Sequence, residues 1–213
     1  MSHFHTHTTP AKTEGVLIRW ARYYDVFTTL LTFGQASRLR KMMIDGSLLK
    51  PGESLLDVGC GTGGVTIPGK LRAGPGGKTA GIDPSPEMIA VAQHKAKRKG
   101  LEIDFRVGVI EALPFPVASF DVVTASLMVH HLPPDDLQRK GFAEIYRVLK
   151  PGGRLLIADL IGPRSSFSLA MILHHRKELD SGKWIRTLEQ VGFREATQLD
   201  QHFSMIGFIR AVK

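Results

Sequence analysis

Leu55-Leu56-Asp57-Val58-Gly59-Cys60-Gly61-Thr62-Gly63-Gly64, residues 55–64, joins an apolar run to a glycine turn with a carboxylate at the junction. Leu55, Leu56 and Val58 have the continuous apolar character of a strand buried on both faces of a parallel sheet. The four glycines permit positive φ and leave no Cβ in the path of a ligand approaching the backbone. Such a turn, feeding a helix that starts near Val65, aims unpaired N–H groups at whatever sits there. Pro68 and Gly69 predict that this helix is short or starts irregularly. A nucleotide-like cofactor site is the expectation.

Two cofactor classes fit, because Gly59, Gly61 and Gly64 also satisfy the dinucleotide spacing G-x-G-x-x-G. Asp57 discriminates between them. A dinucleotide site normally has an apolar residue there, since a carboxylate repels a diphosphate and attracts an ammonium. S-adenosylmethionine carries an ammonium and a sulfonium and has no phosphate. Next, Lys78 to Asp83 reads as a second strand ending in an acid, about 20 residues beyond the turn, the interval at which a carboxylate grips a ribose. Ser85-Pro86-Glu87 then opens a helix with an N-cap and a proline at its first position.

With these residues in place, the chain resembles the class I S-adenosylmethionine-dependent methyltransferases, in particular the group that methylates quinones, phospholipids and other small molecules. The resemblance spans roughly residues 20 to 161. It rests on five segments in order: 55–64, Gly81 to Ile89, Glu111 to Val123, the surroundings of Val129-His130-His131, and Arg147 to Leu160. The resemblance implies that Asp57, Gly59, Cys60 and Gly61 border the methionine part of the cofactor, and that Asp83 with Pro84 takes the ribose. It further implies that Met88 packs on the adenine, Val109 and Ile110 flank it, and Ser126 lines the pocket below the sulfonium. Relatives have an acid at the position of Val109 that accepts the adenine amine. Its loss removes a charge-assisted hydrogen bond of about 1.5–3 kcal/mol, and Glu111 is not expected to compensate.

The implied fold is α/β, a Rossmann-like doubly wound sheet of seven strands, mostly parallel with an antiparallel C-terminal strand. Strands are expected near Asp104 to Val107, Phe120 to Ser126 and Arg154 to Asp159, then a pair over Arg194 to Gln201 and Phe203 to Val212. Helices are expected over Pro86 to Lys99, Pro134 to Val148 and Lys183 to Val191. Residues 1–15 read as a flexible tail, 16–48 as a helical lid and 49–213 as the methyltransferase domain. In the lid, Val16 to Met43 has helical periodicity, and Tyr24 is the expected cofactor contact, with a packing helix as the alternative.

The chain has 213 residues, enough for one two-sided core, and one cysteine, Cys60, which excludes an internal disulfide and suits a reducing compartment. It shows neither a run of 18 apolar residues nor a secretory signal, so a cytoplasmic location is expected. His3, His5 and His7 lie in the tail, and no metal site is expected. The charge of +8 is dispersed, densest over Arg38 to Lys41 and Lys95 to Lys99. Solvated surface is the plain reading. Nucleic acid is disfavoured for want of a stacking set, and a peripheral membrane contact is the other reading, because Trp20 and Phe27 accompany Arg19 and Arg22.

Methyl transfer from a sulfonium needs alignment above all, and a base only when the acceptor holds a proton. His130 and His131 follow the fourth strand and are the catalytic candidates. The acceptor is expected to be a small molecule, quinone-like or phospholipid among the possibilities, although relatives that methylate quinones have an Arg-Asn pair in place of these histidines. The competing readings are a short-chain oxidoreductase using NAD(P), suggested by the Tyr146-x-x-x-Lys150 spacing, and a non-catalytic cofactor-binding module.

Overall fold

The structure is a computed structural model and describes residues 34–133, 136–160, 181–203 and 206–213. Seven strands form one sheet in the order β3-β2-β1-β4-β5-β7-β6. They are β1 Leu55–Val58, β2 Thr79–Asp83, β3 Asp104–Val107, β4 Phe120–Ser126, β5 Leu149–Leu160, β6 Arg194–Phe203 and β7 Ile206–Val212. β1 to β5 are mutually parallel, and β7 runs antiparallel to both β5 and β6. Helices α1 Ala36–Gly46, α2 Thr66–Ala73, α3 Pro86–Arg98, α4 Asp136–Val148 and α5 Ser181–Val191 cover the faces.

The central strands are apolar because both faces are covered. Leu55, Leu56, Val122, Val123, Leu155, Leu156 and Ile157 have no measurable exposure. On one face Phe142 and Ile145 of α4 and Trp184 and Leu188 of α5 pack on Leu56, Val123 and Leu155. On the other, Leu39, Met43 and Ile44 of α1 pack with Val65, Leu156 and Phe208. Strand order reverses between β1 and β4, and the C-terminal edge at such a switch point is where ligands bind in open α/β sheets.

Two expectations are adjusted. A single helix over 16–43 does not form: Gly34, at φ 79°, and non-helical Gln35 precede α1, which runs on to Gly46 as part of the core. Tyr24 and the part of the lid before residue 34 lie outside the described residues. β5 begins five residues before Arg154, because Leu149 pairs with Phe120, and Gly152 and Gly153 exchange backbone hydrogen bonds with Lys213. A register shift between Phe120 and Val122 absorbs the extra residues.

Candidate functional site

The glycine turn leaves β1 by bending toward β2. The N–H groups of Gly59 and Cys60 both donate to the Ile82 carbonyl, at 2.8 and 3.0 Å, and that of Gly63 donates to the Cys60 carbonyl. Gly59 has φ 69°, and a Cβ there would lie 2.7 Å from Cβ of Met128, so the turn needs a glycine on both counts. Gly61 has φ 51°, and its N–H donates to Oδ2 of Asp83 at 2.9 Å. Oδ1 of Asp83 accepts the Ser85 N–H at 2.9 Å. Burial pushes the Asp83 carboxyl up, and these two N–H groups pull it back. The carboxylate is thus fixed at the end of β2 with one hydrogen bond on each oxygen, leaving lone pairs for a diol. Ser85 caps α3, its hydroxyl accepting the N–H of buried Met88 at 3.2 Å.

Asp57 lies beneath the turn. It is 1 % exposed, enclosed between β1, β4 and α2. Thr66 donates its hydroxyl to Oδ2 at 2.6 Å, and Thr124 donates to Oδ1 at 2.9 Å. Desolvation is the largest influence and pushes the carboxyl up to about 6, against the Thr66 and Thr124 hydroxyls and the Thr66 N–H, with the Asp83 charge raising it further. Asp57 therefore ties the start of α2 to the sheet and puts a desolvated negative charge beneath the turn. Cys60 is buried as well. Its side chain points into the cluster of Ile89, Ala92 and Phe105, and its N–H and carbonyl are used within the turn. Burial pushes the thiol well above its ordinary value, so it is no nucleophile.

Beyond β3, Val109 and Ile110 are buried, and Ile110 inserts its side chain toward Gly141 of α4. Only the main chain of Ile110 is left for a base edge. In the short turn Ile110–Ala112, Oε2 of Glu111 is buried without a hydrogen-bond partner.

At the end of β4, Ser126 is half-buried and pairs in register with Ala158. Leu127 follows at φ 52°, a conformation that costs an L-residue about 1–2 kcal/mol, while its N–H holds the Ala158 carbonyl at 2.8 Å. This bend brings Met128 over Gly59 and returns His130 to the tip of β5. There His130 Nδ1 lies 2.5 Å from Oδ1 of Asp159, and the His130 N–H donates to Oδ2 at 3.2 Å. Asp159 is fully buried, whereas the His130 side chain keeps 13 % exposure. The His131 ring lies 4.0 Å from that of His130. Sequence reasoning missed Asp159, Met128, Thr66 and Thr124. Only the parallel pairing of β4 with β5 brings Asp159 to His130.

Tyr146 and Lys150 do not form a dehydrogenase site. Lys150 pairs with Asp121 at 2.7 Å at the N-terminal end of the parallel strands, and Tyr146 packs on Phe193 beneath the Lys213 ammonium. Both lie at the opposite sheet edge from the glycine turn.

The cofactor fits what the residues offer. Asp57 and Asp83 hold two largely desolvated carboxyls beside a bare backbone turn, and the charge that acts on Asp57 is that of Asp83. A ligand with a cationic centre and a ribose supplies what this arrangement lacks.

Residues 55–153 match the methyltransferase domain family. The chain is 36 % identical over 157 residues to a demethylmenaquinone methyltransferase of Thermus thermophilus, covering 73 % of this chain and 70 % of that protein. It is 32 % identical over 150 residues to a ubiquinone/menaquinone biosynthesis C-methyltransferase of Hydrogenovibrio crunogenus, covering 70 % of this chain and 58 % of that one. In fold it is similar to a methyltransferase of Aquifex aeolicus dependent on the same cofactor, with TM-score 0.68, 23 % identity, and 81 % and 88 % of the two chains covered. The turn, the acid at the end of β2, the inserted antiparallel strand and these relatives agree: the chain belongs to the class I S-adenosylmethionine-dependent methyltransferases.

Proposed function

We propose that the protein methylates the dihydroxy form of a quinone-like, lipophilic acceptor, with His130 as general base and Asp159 as its positioning residue. The observation that carries this reading is the His130–Asp159 hydrogen bond at 2.5 Å beside the glycine turn. The quinone class comes from the curated relatives, of which the chain spans 58–70 % in the two cases above. Bound S-adenosylmethionine supplies an electrophilic methyl group on a sulfonium.

A quinone ring is electrophilic, but its reduced, dihydroxy form becomes a nucleophile when a hydroxyl loses its proton. Buried Asp159 accepts from Nδ1–H of His130, which fixes the tautomer and leaves the basic lone pair on Nε2. His130 would take the hydroxyl proton there, making the acceptor a nucleophile toward the methyl group that bound S-adenosylmethionine would supply, and would pass that proton from the imidazolium to water. Asp83 takes the ribose hydroxyls, with Pro84 beside it, while Gly59 and Gly61 leave room for the methionine part. Asp57 contributes charge at short range rather than a direct contact. Met88, Val109 and the Ile110 main chain would border the adenine, and Ser126 would line the sulfonium side of the pocket. The partnerless Oε2 of Glu111 is an acceptor suited to the adenine amine, in place of the acid absent at Val109. The His131 ring lies tilted against that of His130 and is the lesser candidate for the base.

The test is methyl transfer from labelled cofactor to a panel of short-chain quinols, with binding of S-adenosylhomocysteine and NADH measured alongside. Turnover with quinols is expected, falling about 100-fold or more in His130→Ala, the usual contribution of a general base. Cofactor binding with no turnover on any acceptor in the panel would refute the assignment in favour of a non-catalytic module.

A further inference from the structure

The two densest basic runs of the sequence, more than fifty positions apart, converge on one cleft of about 1020 Å³ between α1, α2 and α3. Arg40 and Lys41 come from α1, Arg72 from α2, and Lys95, Arg98 and Lys99 from α3 and its C-terminal cap. Among the described residues the one carboxylate lining the cleft, Asp45, is engaged by Lys41 and by Arg72 at 2.7 Å, and these two cations hold it below the usual carboxylate range. Its charge is therefore spent locally, and the described lining sets six cationic side chains against this one carboxylate. The inner end is formed by Thr62, Gly63 and Gly64, so the cleft opens beside the cofactor turn.

An apolar element accompanies the charge. Leu71 stands 62 % exposed on α2 between Lys70 and Arg72, over a floor made by Ile44 and Ile67. Cations around a solvent-exposed leucine suit a surface that offers phosphates at one level and acyl chains just below it. None of the described residues lining the cleft is aromatic, so they offer charge and an exposed aliphatic side chain rather than a ring on which a base could stack. We propose that this cleft is the docking surface for an anionic phospholipid membrane, with Arg98 and Lys99 meeting headgroup phosphates and Leu71 entering the acyl boundary. The surface is argued from charge and shape alone; its use, delivery of an acceptor dissolved in the bilayer, rests on the quinone reading above.

The experiment is flotation of the full chain with vesicles of phosphatidylglycerol and phosphatidylcholine, against vesicles of phosphatidylcholine only. Binding to the anionic vesicles is expected, weakening as salt rises. Arg98→Glu with Lys99→Glu should reduce the partition coefficient at least tenfold, since each cation at such a surface counts for about 1 kcal/mol. Leu71→Ser should reduce it several-fold at unchanged salt dependence. Methylation of a water-soluble short-chain quinol should stay within twofold in all these variants. Equal binding to neutral vesicles, or unchanged binding by the double variant, would overturn the docking surface. So would displacement of the protein from vesicles by RNA at equal phosphate concentration. Intact vesicle binding with no turnover on any quinol would instead strike the acceptor assignment and leave the membrane contact standing.

Discussion

Asp57→Asn removes a charge from the β1–α2 contact while keeping the side chain's shape, and the structure fixes what should follow. Burial raises this carboxyl from 3.8 to about 6. An acid with a raised value binds its proton more tightly in the folded chain than in the unfolded one. Folding is therefore helped most below the unfolded value, and that help is lost as pH climbs through about 6. The gap from 3.8 to about 6 corresponds to roughly 3 kcal/mol. This is the burden that ionised Asp57 places on the ligand-free fold at neutral pH. Asparagine carries none of it. The hydrogen bond weakened by the amide, with the Thr66 or the Thr124 hydroxyl, costs about 1 kcal/mol and does not depend on pH.

The assay is urea unfolding of both proteins between about pH 4 and pH 7.5, read as the difference in unfolding free energy, in which titrations common to the two cancel. The difference should move in favour of Asp57→Asn by up to about 3 kcal/mol across this window. Cofactor affinity should show the converse, rising in the native protein as pH passes about 6 because the ionised acid attracts the bound cation, and staying flat in the variant. Parallel stability curves for the two proteins would refute the view that Asp57 is a desolvated charge.

Asp83→Ala should weaken S-adenosylhomocysteine at least tenfold, about 1.4 kcal/mol by titration calorimetry, since it removes the ribose acceptor and its bonds from Gly61 and Ser85; unchanged affinity would contradict the ribose role. Asp159→Asn should lower kcat about 100-fold with little change in KM for the acceptor and shift the acidic limb of the pH–rate profile; a pure loss of stability with an unmoved profile would reduce Asp159 to a structural part. Gly59→Ala puts a Cβ 2.7 Å from Met128 at φ 69°, for an expected loss of about 2–4 kcal/mol in denaturant unfolding. Glu111→Gln should weaken cofactor binding several-fold yet leave binding of an analogue without the adenine amine unchanged; an equal loss for both would exclude the amine contact.

The local parts of this architecture were legible in the sequence because their causes are local. Leu55, Leu56 and Val58 announce a doubly covered strand, Ser85 announces a cap, and Asp83 falls at the interval a ribose site needs. The remaining features depend on direction and distance. Asp57 was legible as an acid, but its burial against Thr66 of α2 and Thr124 of β4 was not. Cys60 lies in the right turn and faces Phe105. Asp159 reads as the last polar residue of an apolar strand until Ser126 pairs with Ala158 and brings His130 to it. Lys95 to Lys99 and Arg40 look like scattered surface charge until α1 and α3 flank the same short helix.

The position of β7 between β5 and β6 bears on how the chain matures during synthesis. Leu155, Leu156 and Ile157 leave the ribosome about fifty residues before their antiparallel partners Ala211, Arg210 and Ile209. Throughout that interval a long apolar strand has one flank of N–H and carbonyl groups unpaired, the kind of edge on which neighbouring chains aggregate. Translation pauses before residue 206, or overproduction that crowds nascent chains, should accordingly direct this protein into inclusion bodies more readily than any substitution on its surface.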